Sequence, residues 1–251
     1  MLMDPQENIR AHDPARGALP LDAGSVAHSV EEAILSRRSL RAFKPDPVPR
    51  ELVERILALA SRAPSGTNIQ PWKVYVVAGE VRDRLVNAMV EAFMQHGEEG
   101  FKRQFEYYPV KWREPYLGRR RKLGWDLYGL LGIGKGEREK TARQHARNFR
   151  FFDAPVGLVF TLENDLEIGS WFDSGMFVQT VMLAARGFGL DTCPQAAIAG
   201  AHQIIRRELG VPENETVLCG MALGYARADA IENSLVTARE PVAGFARFAG
   251  F

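Results

Sequence analysis

A chain of 251 residues is long enough to bury a sizeable core as one domain, or as one domain carrying an insertion. Lys+Arg 32 against Asp+Glu 31 leaves a net charge of +1, which argues against a global field for nucleic acid. No apolar run reaches membrane-spanning length and no hydrophobic signal region opens the chain, so a cytoplasmic protein with no membrane partner is expected.

Residues 1–25 mix Asp, Pro, Gly, Ala and His without periodicity and read as an extension to a single domain over 26–251. Val30 to Ser36 predicts a short helix with Val30, Ala33 and Ile34 inward. It runs into Arg37-Arg38-Ser39-Leu40-Arg41, three arginines and a serine within five residues. Guanidinium forks match phosphate oxygens and the serine hydroxyl adds a donor, so this is a candidate anion site. A solvated basic helix end, favoured by the helix dipole, is the plainer alternative. Pro45, Pro47 and Pro49 then force an extended entry to a second helix, whose apolar positions are Leu52, Val53, Ile56, Leu57 and Ala60.

The next connector is Ala63-Pro64-Ser65-Gly66-Thr67-Asn68-Ile69-Gln70-Pro71-Trp72. It holds more hydrogen-bonding side chains than a turn requires. The Asn68 and Gln70 amides offer donors and acceptors together, which suits a heteroaromatic ring edge bearing carbonyls and ring nitrogens; a polar loop stiffened by proline is the alternative. Lys73-Val74-Tyr75-Val76-Val77 alternates and is β-branched, hence a strand, and 80–95 is a third amphipathic helix.

From 96 to 150 the pattern turns charged and aromatic, with Arg119-Arg120-Arg121-Lys122 at its middle. Gly132-Ile133-Gly134-Lys135-Gly136 lacks the spacing and the preceding strand of a phosphate-binding loop. Basic and aromatic residues together suit single-stranded nucleic acid; the reading preferred here is a helical lid, with Tyr107, Tyr116, Trp125, Tyr128 and Phe149 as residues facing a pocket. Residues 155–162 form an apolar strand buried on both faces. Asp173-Ser174-Gly175 leads into a helix apolar almost all round, suited to a subunit interface. Asp191-Thr192-Cys193-Pro194-Gln195-Ala196-Ala197 is a small-residue loop after a short extended piece; a helix over 201–209 and a buried strand over 215–225 follow. Cys193 and Cys219 have no metal or redox spacing; they read as buried thiols in a reducing compartment, with a single bridge as the alternative, and no metal site is expected. The tail carries Phe245, Phe248 and Phe251, which need a surface to pack on. The sum is an α+β or α/β layered domain.

Four of these pieces, in this order, resemble the flavin-dependent nitroreductases, a superfamily of FMN-binding homodimeric oxidoreductases. They are Ser36-Arg37-Arg38-Ser39-Leu40-Arg41-Ala42-Phe43, the 63–72 connector, the Asp173 helix ending in Gly187-Phe188-Gly189, and Ala222-Leu223-Gly224-Tyr225 with Arg239 downstream. The resemblance covers about 30–251, interrupted mainly by the aromatic insertion. It implies an α/β sandwich with a central mixed, mainly antiparallel sheet, in an intertwined homodimer with a swapped C-terminal extension. It implies bound FMN, with Arg37, Arg38, Ser39, Arg41 and Arg239 on its phosphate and ribityl chain. Pro64, Ser65, Gly66, Asn68 and Gln70 of one subunit, with Gly224 and the Pro194-Gln195-Ala196-Ala197 loop, complete the site. Backbone amides of Ala196 and Ala197 would face flavin N5 and O4; some relatives carry an acidic residue where this chain has Gln195-Ala196-Ala197.

No catalytic side chain is then required, because the flavin carries hydride from NADPH or NADH to a flat acceptor, a nitroaromatic or a quinone. A reductive dehalogenase, a reductase of activated double bonds, and a non-catalytic flavin-binding protein are the alternatives.

Overall fold

The computed structural model describes residues 24–251, the side chain of Glu98 excepted, so nearly all of the expected N-terminal extension lies outside the described residues. The first helix, α1 (Val30–Ser36), starts where the Ser29 hydroxyl accepts the Glu32 N–H at 3.1 Å. Pro49 precedes α2 (Arg50–Ala60), which buries Val53, Ile56 and Ala60. Strand β1 (Lys73–Ala78) leads directly into α3 (Gly79–His96). The aromatic segment contains α4 (Tyr116–Leu130) and α5 (Arg138–Ala146), then a 3-10 stretch, Arg147–Asp153. Strand β2 (Val156–Glu163) is buried along seven of its residues, as its apolar run demands.

Helix α6 (Ile168–Arg186) begins five residues before Asp173, the point at which the sequence places its start. Strand β3 (Asp191–Gln195), a 3-10 stretch Ala196–Ala201, α7 (His202–Leu209), β4 (Glu215–Gly224) and the short α8 (Val242–Phe245) complete the chain. The expected loop at Asp191 is therefore a strand. Pro194 disguises it, but β3 is the last strand in the sheet, where a missing N–H need not break a ladder.

The sheet order is β1-β2-β4-β3, and every strand pair is antiparallel. One isolated parallel bridge, Ser39 to Thr192, adds the arginine segment to the β3 edge, with the Leu40 N–H donating to the Thr192 carbonyl at 3.1 Å. Alternate residues divide the core between the two faces. Val77, Val159, Val217 and Ala222 face α3, α7 and the 3-10 stretch at Arg147–Asp153. Val156, Leu158, Phe160, Met221 and Leu223 face α2 and α6. Each fully buried aliphatic side chain contributes about 1.5–3 kcal/mol.

Phe151, Phe152 and Asp153 all lie in the left-handed region, with φ of 50°, 50° and 67°. Each costs about 1–2 kcal/mol for an L-residue. The compensation is burial of both rings, at 0% and 2% exposure. Gly157 makes room: a Cβ there would lie 2.7 Å from the Phe151 ring.

Candidate functional site

Arg37, Arg38, Ser39, Arg41 and Arg239 line one cavity of about 140 Å³, closed by Leu123, Leu235 and Thr237. Among the described residues no carboxylate lines it. Burial, and secondly the charge of Arg239, push the Arg37 guanidinium below its ordinary pKa. Like charges gathered around one cavity repel one another, and an anion bound there relieves the repulsion. Backbone brackets hold the cluster in place. Arg147 donates to the Arg41 carbonyl at 2.8 Å and pairs with Glu232 at 2.5 Å, while Asn233 holds Arg41 from the other side.

From this cavity β3 runs to a second one, of about 240 Å³. Thr192 bridges Ser39 at the first end; Pro194, Gln195, Ala196 and Ala197 line the second. At ~3.3 Å per residue, Thr192 and Ala196 lie roughly 13 Å apart along the strand. The Gln195 side chain is buried: its Nε2 donates to the Asn148 carbonyl at 2.6 Å, while its Oε1 has no partner among the described residues. A buried amide oxygen without a donor is costly, and no donor reaches it among the described residues.

The remaining lining of this second cavity comes from the aromatic insertion, including Tyr107, Tyr108, Phe105 and Gln104. Gln104 ties the insertion to the sheet. The β2–β4 register slips between Phe160 and Thr161, and beside that irregularity the Val217 N–H donates to Gln104 Oε1 at 2.9 Å. Phe105 packs edge-on against Trp171 at 4.6 Å.

The 63–72 connector lines neither cavity. It is docked on α6, where the buried Asp173 accepts the Gly66 N–H at 3.1 Å. Thr67, Asn68 and Gln70 have φ of 49°, 61° and 50°, a run of strain that turns and ligand clamps carry. Ser65 supports it by accepting the Gln70 N–H at 3.0 Å. Gly224 also lines neither cavity; a Cβ there would stand 2.6 Å from Pro155, so the glycine serves close packing.

Among the lid residues, Tyr107 lines the second cavity, joined by Tyr108, which its neighbour foreshadows. Tyr116, Trp125 and Tyr128 lie on α4, outside that lining. Phe149 is a correction: it is 1% exposed in the core, 5.0 Å from Phe93 and 5.1 Å from Phe101, because the 3-10 stretch turns it inward. Cys193 and Cys219 are both free, which disposes of the bridge. Burial lifts their thiols to about 11 and about 12, so neither is a poised nucleophile. Among the described residues no cluster of His, Cys, Asp or Glu suits a metal ion, and no helix is long and apolar enough to cross a membrane.

Known proteins share this layout. A chloronitrobenzene nitroreductase of Comamonas testosteroni is 40% identical over 219 residues, covering 87% of this chain and 96% of its own. The crystal structure of an FMN- and NADPH-dependent nitroreductase, NfnB, from Sphigopyxis sp. strain HMH superposes with a TM-score of 0.85 at 37% identity, over 89% of this chain and 100% of that one. An NfnB from Mycobacterium smegmatis, solved in complex with NADPH, gives 0.82 at 36% identity over 87% and 97%. The family model of the nitroreductases matches residues 34–225, a span holding the arginine segment, the strained connector, β3 and all but the end of the site; the chain belongs to the nitroreductase family.

Proposed function

We propose that this chain is an NAD(P)H-dependent FMN oxidoreductase that reduces nitroaromatic compounds, and quinones by the same route. The observation that carries the reading is the pairing of an arginine-rich cavity with a second, aromatic-lined one along a single strand, β3. The residues present fit FMN: four arginines want an anion, and the orphaned Gln195 Oε1 wants a ring N–H donor. When bound, FMN supplies two-electron hydride chemistry between a nicotinamide and a nitro group.

Everything else falls to the chain. Arg37, Arg38, Arg41 and Arg239, with the Ser39 hydroxyl, neutralise the phosphate and fix the cofactor's register along β3. The backbone after Gln195, at Ala196 and Ala197, offers N–H dipoles to the ring, where they favour a reduced, anionic state. Tyr107 and Tyr108 exclude water and present flat faces to a flat acceptor.

We further assign a homodimer. The strained 63–72 connector sits on α6, away from both cavities, so a partner's connector supplies Pro64, Ser65, Gly66, Asn68 and Gln70 to complete each site. Exposed apolar side chains support this: Phe172 is 72% exposed on α6, and Phe245 and Phe248 are each 70% exposed in the tail. An exchanged tail covering the partner accounts for them. Two unbridged cysteines support a reducing, cytoplasmic setting.

One place serving donor and acceptor in turn demands parallel double-reciprocal lines when NADPH and nitrobenzene are varied against each other. Converging lines, which require both substrates bound together, would contradict it.

A further inference from the structure

The two cavities share one covering element. Helix α4 places Leu123 against the cationic cavity, and Arg120, three residues earlier, stands over Tyr108 at the rim of the other. Between residues 101 and 126 the chain carries eight Lys and Arg against three Asp and Glu, on a protein whose net charge is only +1. The excess positive charge is therefore concentrated here. Part of it is answered locally, since Arg119 pairs with Glu240 at 2.5 Å and Lys122 with Asp126 at 2.7 Å.

Arg120 is not answered. Its guanidinium carbon lies 4.9 Å from the Trp112 ring centroid and 5.9 Å from that of Tyr108, and among the described residues it makes no ion pair. Stacking on two rings restricts the side chain and leaves the edge of the guanidinium, where its N–H donors are, open to an anion. A pre-oriented fork loses less conformational freedom on binding than a free arginine does.

We propose that Arg120, stacked on Trp112 and Tyr108 beside the aromatic cavity, binds the 2′-phosphate of NADPH and makes this enzyme select NADPH over NADH. The assignment rests on the reductase reading above and goes beyond it to the residue that chooses the donor. A nicotinamide delivered to the Ala196–Ala197 end of the cavity leaves the rest of the dinucleotide to run outward along the insertion. There it meets the local positive charge, with flat rings beside it to take an adenine face. NADH carries the same diphosphate but lacks the 2′-phosphate, so the two donors isolate this one contact.

The test is kcat/KM for NADPH and for NADH with the FMN-loaded wild-type, Arg120→Ala and Arg120→Lys enzymes, at fixed nitrobenzene. Wild type is expected to prefer NADPH, and the NADPH:NADH ratio to fall about tenfold or more in Arg120→Ala, as loss of a charge-assisted hydrogen bond predicts. Arg120→Lys should retain part of the ratio. Adenosine 2′,5′-bisphosphate should compete with NADPH better than 5′-AMP does for wild type, and lose that advantage in Arg120→Ala. Equal loss with both donors would move the contact to the diphosphate and overturn the assignment. A change confined to the KM of the nitroarene would overturn it in favour of the acceptor. Wild-type turnover without donor preference would also overturn it while leaving the reductase reading intact; no turnover with either donor would sink the reading beneath it.

Discussion

Asn233 holds the backbone of Arg41. Its Oδ1 accepts the Arg41 N–H at 2.7 Å, and its Nδ2 donates to the Ala42 carbonyl at 2.8 Å and to the Arg227 carbonyl at 2.9 Å. Its own carbonyl accepts from Arg38 Nη1 at 3.3 Å. A side chain only 4% exposed thus fixes the segment that presents three of the cavity's arginines.

Asn233→Ala removes the three side-chain bonds and strands buried backbone groups, a loss of about 1–3 kcal/mol of stability. The sharper readout is selectivity. FMN affinity should fall while riboflavin, which has no phosphate, binds as it does to wild type. Parallel losses for both ligands in fluorescence titrations would reduce Asn233 to a structural role.

Arg37→Gln tests the repulsion in the cationic cavity. Arg37 sits below its ordinary pKa, first through burial and then through Arg239, so neutralising it should leave apo-protein at least as stable as wild type. FMN should bind about tenfold to a hundredfold more weakly. Thermal unfolding with and without FMN separates the two effects. A less stable apo-protein that binds FMN normally would contradict the assignment.

Gly220→Ala probes the packing of the 3-10 stretch that follows β3. A Cβ at Gly220 would lie 2.6 Å from Ile198, which belongs to the 3-10 stretch carrying Ala196 and Ala197. Overpacking should cost about 1–3 kcal/mol and displace those backbone amides. The measurement is the bound-flavin absorption spectrum, which should shift; an unchanged spectrum and melting temperature would show that Ile198 yields without effect.

Glu215 sets an acid limit. It is 3% exposed, and burial alone would raise its pKa. Hydrogen bonds from Thr161 at 2.6 Å, Lys73 at 3.0 Å and Tyr75 at 2.9 Å outweigh that and hold it below the usual glutamate value. A depressed folded pKa gives stability that is present above the unfolded value and lost as pH falls through the folded one. Glu215→Gln should therefore flatten the decline in unfolding free energy at acidic pH while lowering stability near neutrality. An identical acid limb in both proteins would contradict the assignment.

What the sequence revealed was chemistry lying close together along the chain. Arg37 to Arg41 announce an anion site because the donors are adjacent, and the 63–72 connector announces a special loop through its amides and prolines. The supports stayed hidden because they act across the fold on plain backbone: Asn233 on a residue 192 positions away, Gln104 on one 113 away, Arg147 on one 106 away. Phe149 was misplaced because composition counts aromatics without saying which way they face. It lies in a 3-10 stretch that buries Phe149, Phe151 and Phe152 together, and no side-chain pattern signals that stretch. Strand β3 was obscured by Pro194, since edge position is a property of the sheet rather than of the segment.

The central claim, a flavin site built along β3 that passes hydride from a nicotinamide to a nitroarene, has one direct measurement. The visible spectrum of the purified protein is recorded under anaerobic conditions, then after one equivalent of NADPH, then after nitrobenzene. The account predicts a yellow protein that bleaches with NADPH and regains its colour with the nitroarene. A protein that stays colourless after added FMN, or a yellow one that neither NADPH nor NADH bleaches, would contradict it.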